Sequence, residues 1–492
     1  MVAPELPLSS SSDVATFHDL PDASSPELVL VHPTPAELAR TWRHTYPKWG
    51  SALPREQDYL EREAYLTTAP LGRDGGLTRW ILTVRGMKPG ERPILSSCES
   101  LRKRAVVARP QKNKKKVNGT TEEDKKSGEE EVVVVDGIAH AIGSVFTEPA
   151  YRGRGYASRM MREVGEKLRT WQAERTGSPR TLFSVLYSDI GKHFYSRHGW
   201  AAYPSTHVSF KPAAVITTTA SATAGVDSNT TPPGSPLPNN NMTNTDPSRV
   251  SPPPSPSTTT RSTTTSVSSK PTGTPKAHPL GYHELAELCA TDERLLRSHL
   301  ARSHKPKPTA AILPDLDAML WHLMREDFMT KRIFGHTPTI RGAVAGEREK
   351  GNRVWAVWMR AYYGGVDRPE GNTLHILRVV VENENEEEDG GKEENEKEQA
   401  AALGEIIKLA QQEAVAWRTG EVQVWNPTGT VARLLEKCGI GFERVEREVE
   451  SIPSLMWYGD DNGEGDDDDG EQGVGGGGSV VEWVANEKYA WF

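Results

Sequence analysis

The sequence predicts an α/β fold with mixed sheets, arranged as two folded halves joined by a polar linker. At 492 residues the chain is too long for one ordinary hydrophobic core. Apolar runs of strand length alternate with helix-period patterns in both halves. Residues 212–277 are rich in Ser, Thr, Pro and Asn, and they cannot bury enough apolar surface to offset their chain entropy. We therefore expect a disordered linker there, between folded domains at 28–211 and 278–492.

Composition and charge argue against several classes of protein. Hydrophobic residues make up 36% of the chain and the net charge is -8, which fits a soluble globular protein and gives no basis for nucleic-acid binding. No run approaches the roughly 18 apolar residues of a membrane span, so we expect no membrane partner. Cys98, Cys289 and Cys438 lie far apart, with no CxxC spacing. We therefore predict neither disulfides nor a metal site, and we expect a reducing compartment, with the cytoplasm as the default.

Four polar segments besides the linker interrupt the predicted elements. Residues 1–27 contain Ser, Pro and Asp without an apolar block, which predicts a disordered leader rather than a secretory signal. The others are predicted loops: a charged insertion at 110–131, an acidic loop at 382–398 and a Gly/Asp-rich loop at 459–479.

The first half begins with a short apolar run and then a helix start. The helix cap is Thr34, and Pro35 occupies the first helical position. Glu37 is the capping-box partner of Thr34. Strand patterns follow at 77–85, 94–108 and 132–147, then a helix from Tyr156, and then strand, short helix and strand at 182–187, 190–198 and 206–210.

The second half follows a similar order. Helical patterns at 282–300 and 316–334 precede strands at 354–363, 374–381, 422–425 and 442–452, with helices at 400–417 and 431–437 among them. The chain ends in an aromatic segment, 480–492.

One turn carries most of the chemical information. The strand that ends at Thr147 leads into Arg152-Gly153-Arg154-Gly155-Tyr156-Ala157, and Met160, Met161, Val164 and Leu168 then recur on one helical face. A glycine turn before a helix start gathers backbone N–H groups, and the helix dipole favours an anion there. By itself the turn also fits an ordinary surface turn, and it is neither a Walker loop nor a dinucleotide fingerprint.

The turn resembles the acetyl-CoA signature of the GNAT superfamily, with Arg152, Gly155 and Ala157 at the signature positions. The later block from Phe194 to Trp200 resembles that superfamily's aromatic pair followed by glycine and an aromatic residue. The closer resemblance is to the fungal L-lysine N6-acetyltransferases, which share a tryptophan-rich first helix, this loop and a long C-terminal domain.

This resemblance implies an acetyl-CoA-dependent N-acetyltransferase with L-lysine as its small-molecule substrate. Val145, Phe146 and Thr147 would pair with the pantetheine arm. The pyrophosphate would lie at a loop that consists of Arg152, Gly153, Arg154, Gly155, Tyr156, Ala157 and Ser158. Tyr195 would protonate the leaving thiolate, although it also fits a core aromatic residue.

A lysine amine needs a proton acceptor, since neutralising it at pH 7 costs about 4–5 kcal/mol. His140 and Glu148 are candidates by position. The sequence ends at Phe492, and some multi-lobe GNAT enzymes bring a terminal carboxylate into their site. Phe492 therefore becomes a further candidate, although it also fits simple closure of the second core.

The second half resembles a degenerate GNAT-like lobe. Residues 434–442 are similar to the block at 194–200, but the acidic run at 382–398 stands where a phosphate loop would lie and would repel a pyrophosphate. We expect this lobe to lack a cofactor and to shape the amine pocket between the two halves. Two alternatives stay open: acetylation of a protein lysine, an N-terminus or a polyamine, and a non-catalytic acetyl-CoA-binding adaptor.

Overall fold

The computed structural model describes residues 20–111, 131–173, 180–213, 275–303, 305–383, 392–459 and 480–492. Most of the linker at 212–277 and of the predicted loops at 110–131 and 459–479 lies outside these ranges, as do residues 1–19 and 384–391. The described residues on both sides of the predicted linker, within 20–213 and 275–492, form one compact unit. None of the helices in the described ranges is both long and apolar enough to cross a bilayer.

The first half contains seven strands and four α-helices within the described residues. They are β1 Leu28–Val31, α1 Pro35–Trp49, α2 Glu56–Leu66, β2 Leu77–Val84, β3 Ser96–Gln111, β4 Glu131–Phe146, α3 Tyr156–Leu168, β5 Thr181–Ser188, α4 His193–Ser196, β6 Ala201–Ala202 and β7 Thr206–Phe210. The predicted capping box is confirmed, since Glu37 N donates to Thr34 Oγ1 and Thr34 N donates to Glu37 Oε2, at 3.3 and 2.8 Å.

The second half begins at β8 and ends with a short 3-10 helix at Lys488–Ala490. Its elements are β8 His278–Leu280, α5 Tyr282–Arg302, β9 Thr309–Ile312, α6 Leu316–Phe334, β10 Gly342–Ala345, β11 Val354–Tyr362, β12 Asn372–Val381, α7 Lys392–Ala416, β13 Glu421–Trp425, α8 Gly429–Lys437, β14 Glu443–Glu446, β15 Ile452–Trp457 and β16 Glu482–Trp483.

Two mixed sheets organise these strands. The first has the order β1-β2-β3-β4-β5-β15-β6, with β9 beside the far part of β3 and β16 beside β9. The second has the order β14-β7-β13-β12-β11-β10-β8. Each sheet has a parallel pair at its centre, β4 with β5 and β12 with β13. The other described pairs are antiparallel, except that β16 runs parallel to β9.

The two halves exchange strands. β7 comes from the first half but lies between β13 and β14 in the second sheet. β15 comes from the second half but pairs with β5 and β6 in the first sheet. One hydrophobic cluster accordingly contains Leu101 and Val185 together with Trp355 and Trp483. The halves therefore share a core instead of packing as separate bodies.

Three segments differ from the sequence prediction. Residues 20–27 of the expected leader are ordered, because Arg159 Nη1 and Tyr156 Oη donate to backbone carbonyls of Ala23 and Pro21. The helix α7 begins inside the expected acidic loop, at Lys392, since glutamates in a first turn favour a helix N-terminus. The single strand expected at 442–452 is instead β14 and β15, which belong to different sheets.

Candidate active site

β4 and β5 separate in the middle of the first sheet. Their pairing ends where Ile142 lies opposite Leu186, although both strands continue. Just beyond, one residue of β3, Cys98, opposes two of β4, Ser144 and Val145, and Ser144 has φ 52°. Such a bulge bends a strand, and a non-glycine residue with positive φ is a strained position that is common at functional sites. Val145, Phe146 and Thr147 therefore lie beyond the last β5 pair in the described structure.

The glycine turn follows this separation directly. Gly153 and Gly155 have φ 76° and 81°, a left-handed conformation that favours glycine. α3 starts at the next residue, and no side chain in the described structure caps its start. Its first N–H groups are therefore free of a side-chain cap, as an anion site at a helix start requires. Arg152 Nε donates to the carbonyl of Thr147 at 3.0 Å, which closes the turn onto the strand.

The remaining loop residues divide between backbone and side-chain roles. Ala157 and Ser158 continue the first turn of α3 and are half-buried. Arg154 Nη2 and Tyr156 Oη donate to the carbonyls of Leu20 and Pro21, at 3.4 and 2.8 Å. These two side chains therefore hold the N-terminal segment against the loop.

Tyr195 is buried on α4. It belongs to the same hydrophobic cluster as Ile142 and Leu186, the last paired residues of β4 and β5, and it is 7% exposed. Burial, with Cys98 and Asp189 nearby, raises the pKa of its phenol. The hydroxyl is protonated at neutral pH, as an ordinary phenol is, and the raised pKa makes it a weaker acid. Tyr195 is not among the residues that line the large cavity described below.

Phe492 packs on the separated part of β4. A Cβ added to Gly143 would lie 2.2 Å from the Phe492 ring, so only a glycine permits this approach. The ring also meets Trp321 edge-on, with centroids 5.8 Å apart. The final segment is anchored by the buried Lys103, whose Nζ donates to the carbonyls of Tyr489, Ala490 and Trp491 at 3.2, 3.1 and 2.7 Å.

A cavity of about 500 Å³ lies beside this contact. From the first sheet it is lined by Ile142, Gly143, Ser144 and Tyr187, and from the second sheet by residues of β11, β12 and β13, among others. Trp491 and Phe492 also line it. Its volume falls within the range of pockets for small molecules, about 300–1,000 Å³. The sequence predicts an amine pocket between the two halves, and a cavity does lie there.

The two base candidates on or after β4 lie elsewhere. His140 is fully buried, its Nε2 lies 3.1 Å from the carbonyl of Trp171, and burial lowers its pKa to about 4. Glu148 lies 3.9 Å from His44 Nδ1, and its side chain is 37% exposed. Neither residue lines the cavity.

Sequence reasoning missed several cavity residues. Gly143 sits inside an apolar strand, and such a glycine signals a bulge or a close approach, so it could have been singled out. Trp425, Arg447 and Lys488 carry no motif. They meet only because distant elements converge.

Two family models match the chain, one in each half. Both models describe domains of the GNAT type, and the predicted GNAT fold is confirmed. Residues 117–202 match the Acetyltransferase (GNAT) domain, and residues 254–492 match the LYC1 GNAT-like C-terminal domain. The chain thus carries GNAT-type domains on both sides of its predicted linker.

Comparison with solved structures gives weaker overlaps. A GCN5-related N-acetyltransferase from Anabaena variabilis is 9% identical with a TM-score of 0.41, covering 88% of this chain and 73% of the other. Saccharomyces cerevisiae N-myristoyltransferase with bound myristoyl-CoA is 8% identical, with a TM-score of 0.41 and coverages of 93% and 84%. Arabidopsis thaliana NAA60 in complex with acetyl-CoA is 12% identical, with a TM-score of 0.22 and coverages of 37% and 88%. These overlaps are too low to carry an argument. No curated protein matches by sequence.

Proposed function

We propose that this protein transfers an acetyl group from acetyl-CoA to the N6-amine of free L-lysine. The observation that carries the proposal is where the cavity meets β4. Ile142, Gly143 and Ser144 line it, directly before the backbone of 145–147. A pantetheine arm bound along residues 145–147 would therefore present its acetyl group to this cavity.

Acetyl-CoA would supply an acetyl group activated as a thioester. The fit to this chain rests on two observations: β4 has no β5 partner beyond Ile142, and the first turn of α3 has no side-chain cap among the described residues. The backbone of Val145, Phe146 and Thr147 would bind the pantetheine arm as an added strand. The loop from Arg152 to Ser158 would bind the pyrophosphate.

Two protons must move during transfer. The acceptor amine must lose a proton to attack, and we assign the carboxylate of Phe492, a residue that lines the cavity, as the acceptor. The leaving thiolate must gain one, and we assign the Tyr195 hydroxyl as the donor. A phenol is protonated at neutral pH, so Tyr195 has a proton to donate.

The acceptor is tested with purified full-length protein, acetyl-CoA and three amines: L-lysine, a histone peptide and spermidine. We expect release of CoA with L-lysine. Activity on the peptide alone, or on spermidine alone, would replace L-lysine by the corresponding alternative. Calorimetry with acetyl-CoA establishes binding independently of turnover.

The base is tested by adding three residues after Phe492. The extension moves the carboxylate but leaves the ring free to pack on Gly143. We expect kcat to fall while the melting temperature is kept, and the same extension at the N-terminus serves as the control. Full activity in a stable extended protein removes the terminal carboxylate from catalysis.

A further inference from the structure

Arg447 is a buried cation with unused donors. It follows β14, is 9% exposed and lines the cavity. Its Nε donates to Ser205 Oγ at 2.8 Å, but Nη1 and Nη2 have no hydrogen-bond partner within the described ranges. The guanidinium carbon lies 3.9 Å from the centroid of the Trp425 ring. Burial lowers the pKa of Arg447 to about 10, which reflects the energetic penalty on its charge.

A second buried basic side chain lies over the same indole. Lys488 is 5% exposed, and its Nζ lies 3.8 Å from the ring centroids of both Trp425 and Trp491. Burial, and then the charge of Arg447, lower its pKa well below the ordinary value. Arg325, whose Nε also lacks a partner among the described residues, lies 5.6 Å from the Trp491 ring.

Polar groups without partners lie beside these two basic side chains. The Tyr187 hydroxyl and His375 Nδ1 are buried without a hydrogen-bond partner in the described part of the chain. Both rings contact Trp425, with centroids 6.1 and 5.5 Å away. Both residues line the cavity.

The acidic residues that line the cavity are either paired with another residue or exposed. Glu63 is paired with Arg62 at 2.5 Å, and Asp189 and Glu450 are exposed. A buried charge without a counter-charge is strongly unfavourable. Proteins retain such a charge where a bound ion or ligand pairs with it. Buried polar groups without hydrogen-bond partners beside the same cavity also indicate that a ligand binds there.

We propose that Arg447 and Lys488, supported by Arg325, form the site that binds the carboxylate of the acceptor amine. A planar guanidinium with two free N–H groups matches a carboxylate in a bidentate geometry. This inference rests on the proposed function and adds the basis of its specificity: the substrate is a free amino acid, because a polyamine or an internal lysine of a protein has no carboxylate to offer.

The test compares L-lysine with cadaverine, which has the same amine chain without a carboxylate, and with L-lysinamide. We expect kcat/KM for L-lysine to exceed that for cadaverine by about 10²-fold or more, since truncating one partner of a buried charge pair has effects of this size. Arg447→Gln should lower kcat/KM for L-lysine by a similar factor, mainly through KM, and leave that for cadaverine within about three-fold.

The matched control is Arg444→Gln. Arg444 is three residues away, its side chain is 52% exposed, and it pairs with exposed Glu436. We expect no change with any of the amines. If Arg447→Gln fails to fold, Lys488→Met replaces it, and we expect the same selective loss of kcat/KM for L-lysine. Arg447→Lys should retain part of the affinity for L-lysine that Arg447→Gln loses.

Equal use of cadaverine and L-lysine by the unaltered protein would overturn the proposal, as would an equal loss with both amines in Arg447→Gln. Calorimetry with each amine separates this result from a failure of the proposed function. If L-lysine binds and loses affinity in Arg447→Gln but is not acetylated, the carboxylate site stands and the acetylation of L-lysine falls. If L-lysine does not bind, the site as stated is refuted.

Discussion

The contact between Gly143 and Phe492 can be tested with a single methyl group. In Gly143→Ala the new Cβ would lie 2.2, 2.4 and 2.8 Å from three atoms of the ring. Ordinary contact begins at 3.4 Å, so the ring must retreat by about 1 Å in a close-packed region. Overpacking of this kind destabilises by about 1–3 kcal/mol. A shift of about 1 Å beside the reacting groups should also lower kcat roughly ten-fold to a hundred-fold.

Thermal unfolding and the rate of CoA release measure the two effects. Gly441→Ala is the control, because an added Cβ at Gly441 meets nothing within 4 Å and its φ is not positive. The double variant Gly143→Ala/Phe492→Ala removes the colliding ring, and we expect a favourable coupling energy of about 1 kcal/mol or more relative to the single variants. Additive effects in this cycle, or full activity in Gly143→Ala, would refute the contact as described.

Three other variants examine separate parts of the molecule. Gly155→Glu should abolish acetyl-CoA binding in calorimetry, since it puts a side chain and a negative charge at the start of α3; unchanged affinity in a folded protein would contradict the assigned loop. Tyr195→Phe should lower kcat without changing acetyl-CoA affinity, and an unaltered kcat would return Tyr195 to the core. Glu37→Gln should lower the melting temperature at pH 7. Although burial opposes it, hydrogen bonds from Arg92 and the backbone lower the pKa of Glu37 to about 2, from 4.5. The stabilisation is therefore present above pH 4.5 and lost as the pH falls toward 2, so melting curves of the two proteins should converge there.

Local features of the fold were predictable because their causes are local. The cap of α1 needs only Thr34 and Glu37, three residues apart, and the structure has both hydrogen bonds. The buried face of α3 repeats at helical spacing, and Met160, Met161, Val164 and Leu168 are all fully buried. The strand expected at 206–210 is also found with the same bounds.

Strand partners and the cavity were not predictable from such signals. The pattern of apolar and polar residues along β7 is the same whether the strand pairs in the first or the second sheet. The positions of Tyr187, Trp425 and Lys488 around one cavity follow from elements up to 301 residues apart in sequence. Arg447 is buried, whereas arginines are mostly exposed, so its residue type alone does not predict its position. Only the assembled structure shows that Nη1 and Nη2 of Arg447 have no hydrogen-bond partner among the described residues.

The strand exchange constrains how the chain can fold during its synthesis. The edge of β5 that β15 covers stays unpaired until residues 452–457 leave the ribosome, about 270 residues after β5 itself. At about 5–20 residues per second, the nascent first half waits for tens of seconds with this edge exposed. An open apolar edge invites pairing with another chain. Folding yield should therefore depend on translation rate and on chaperones that shield β5, and a ribosome stalled before residue 452 should carry a first half that remains sensitive to protease.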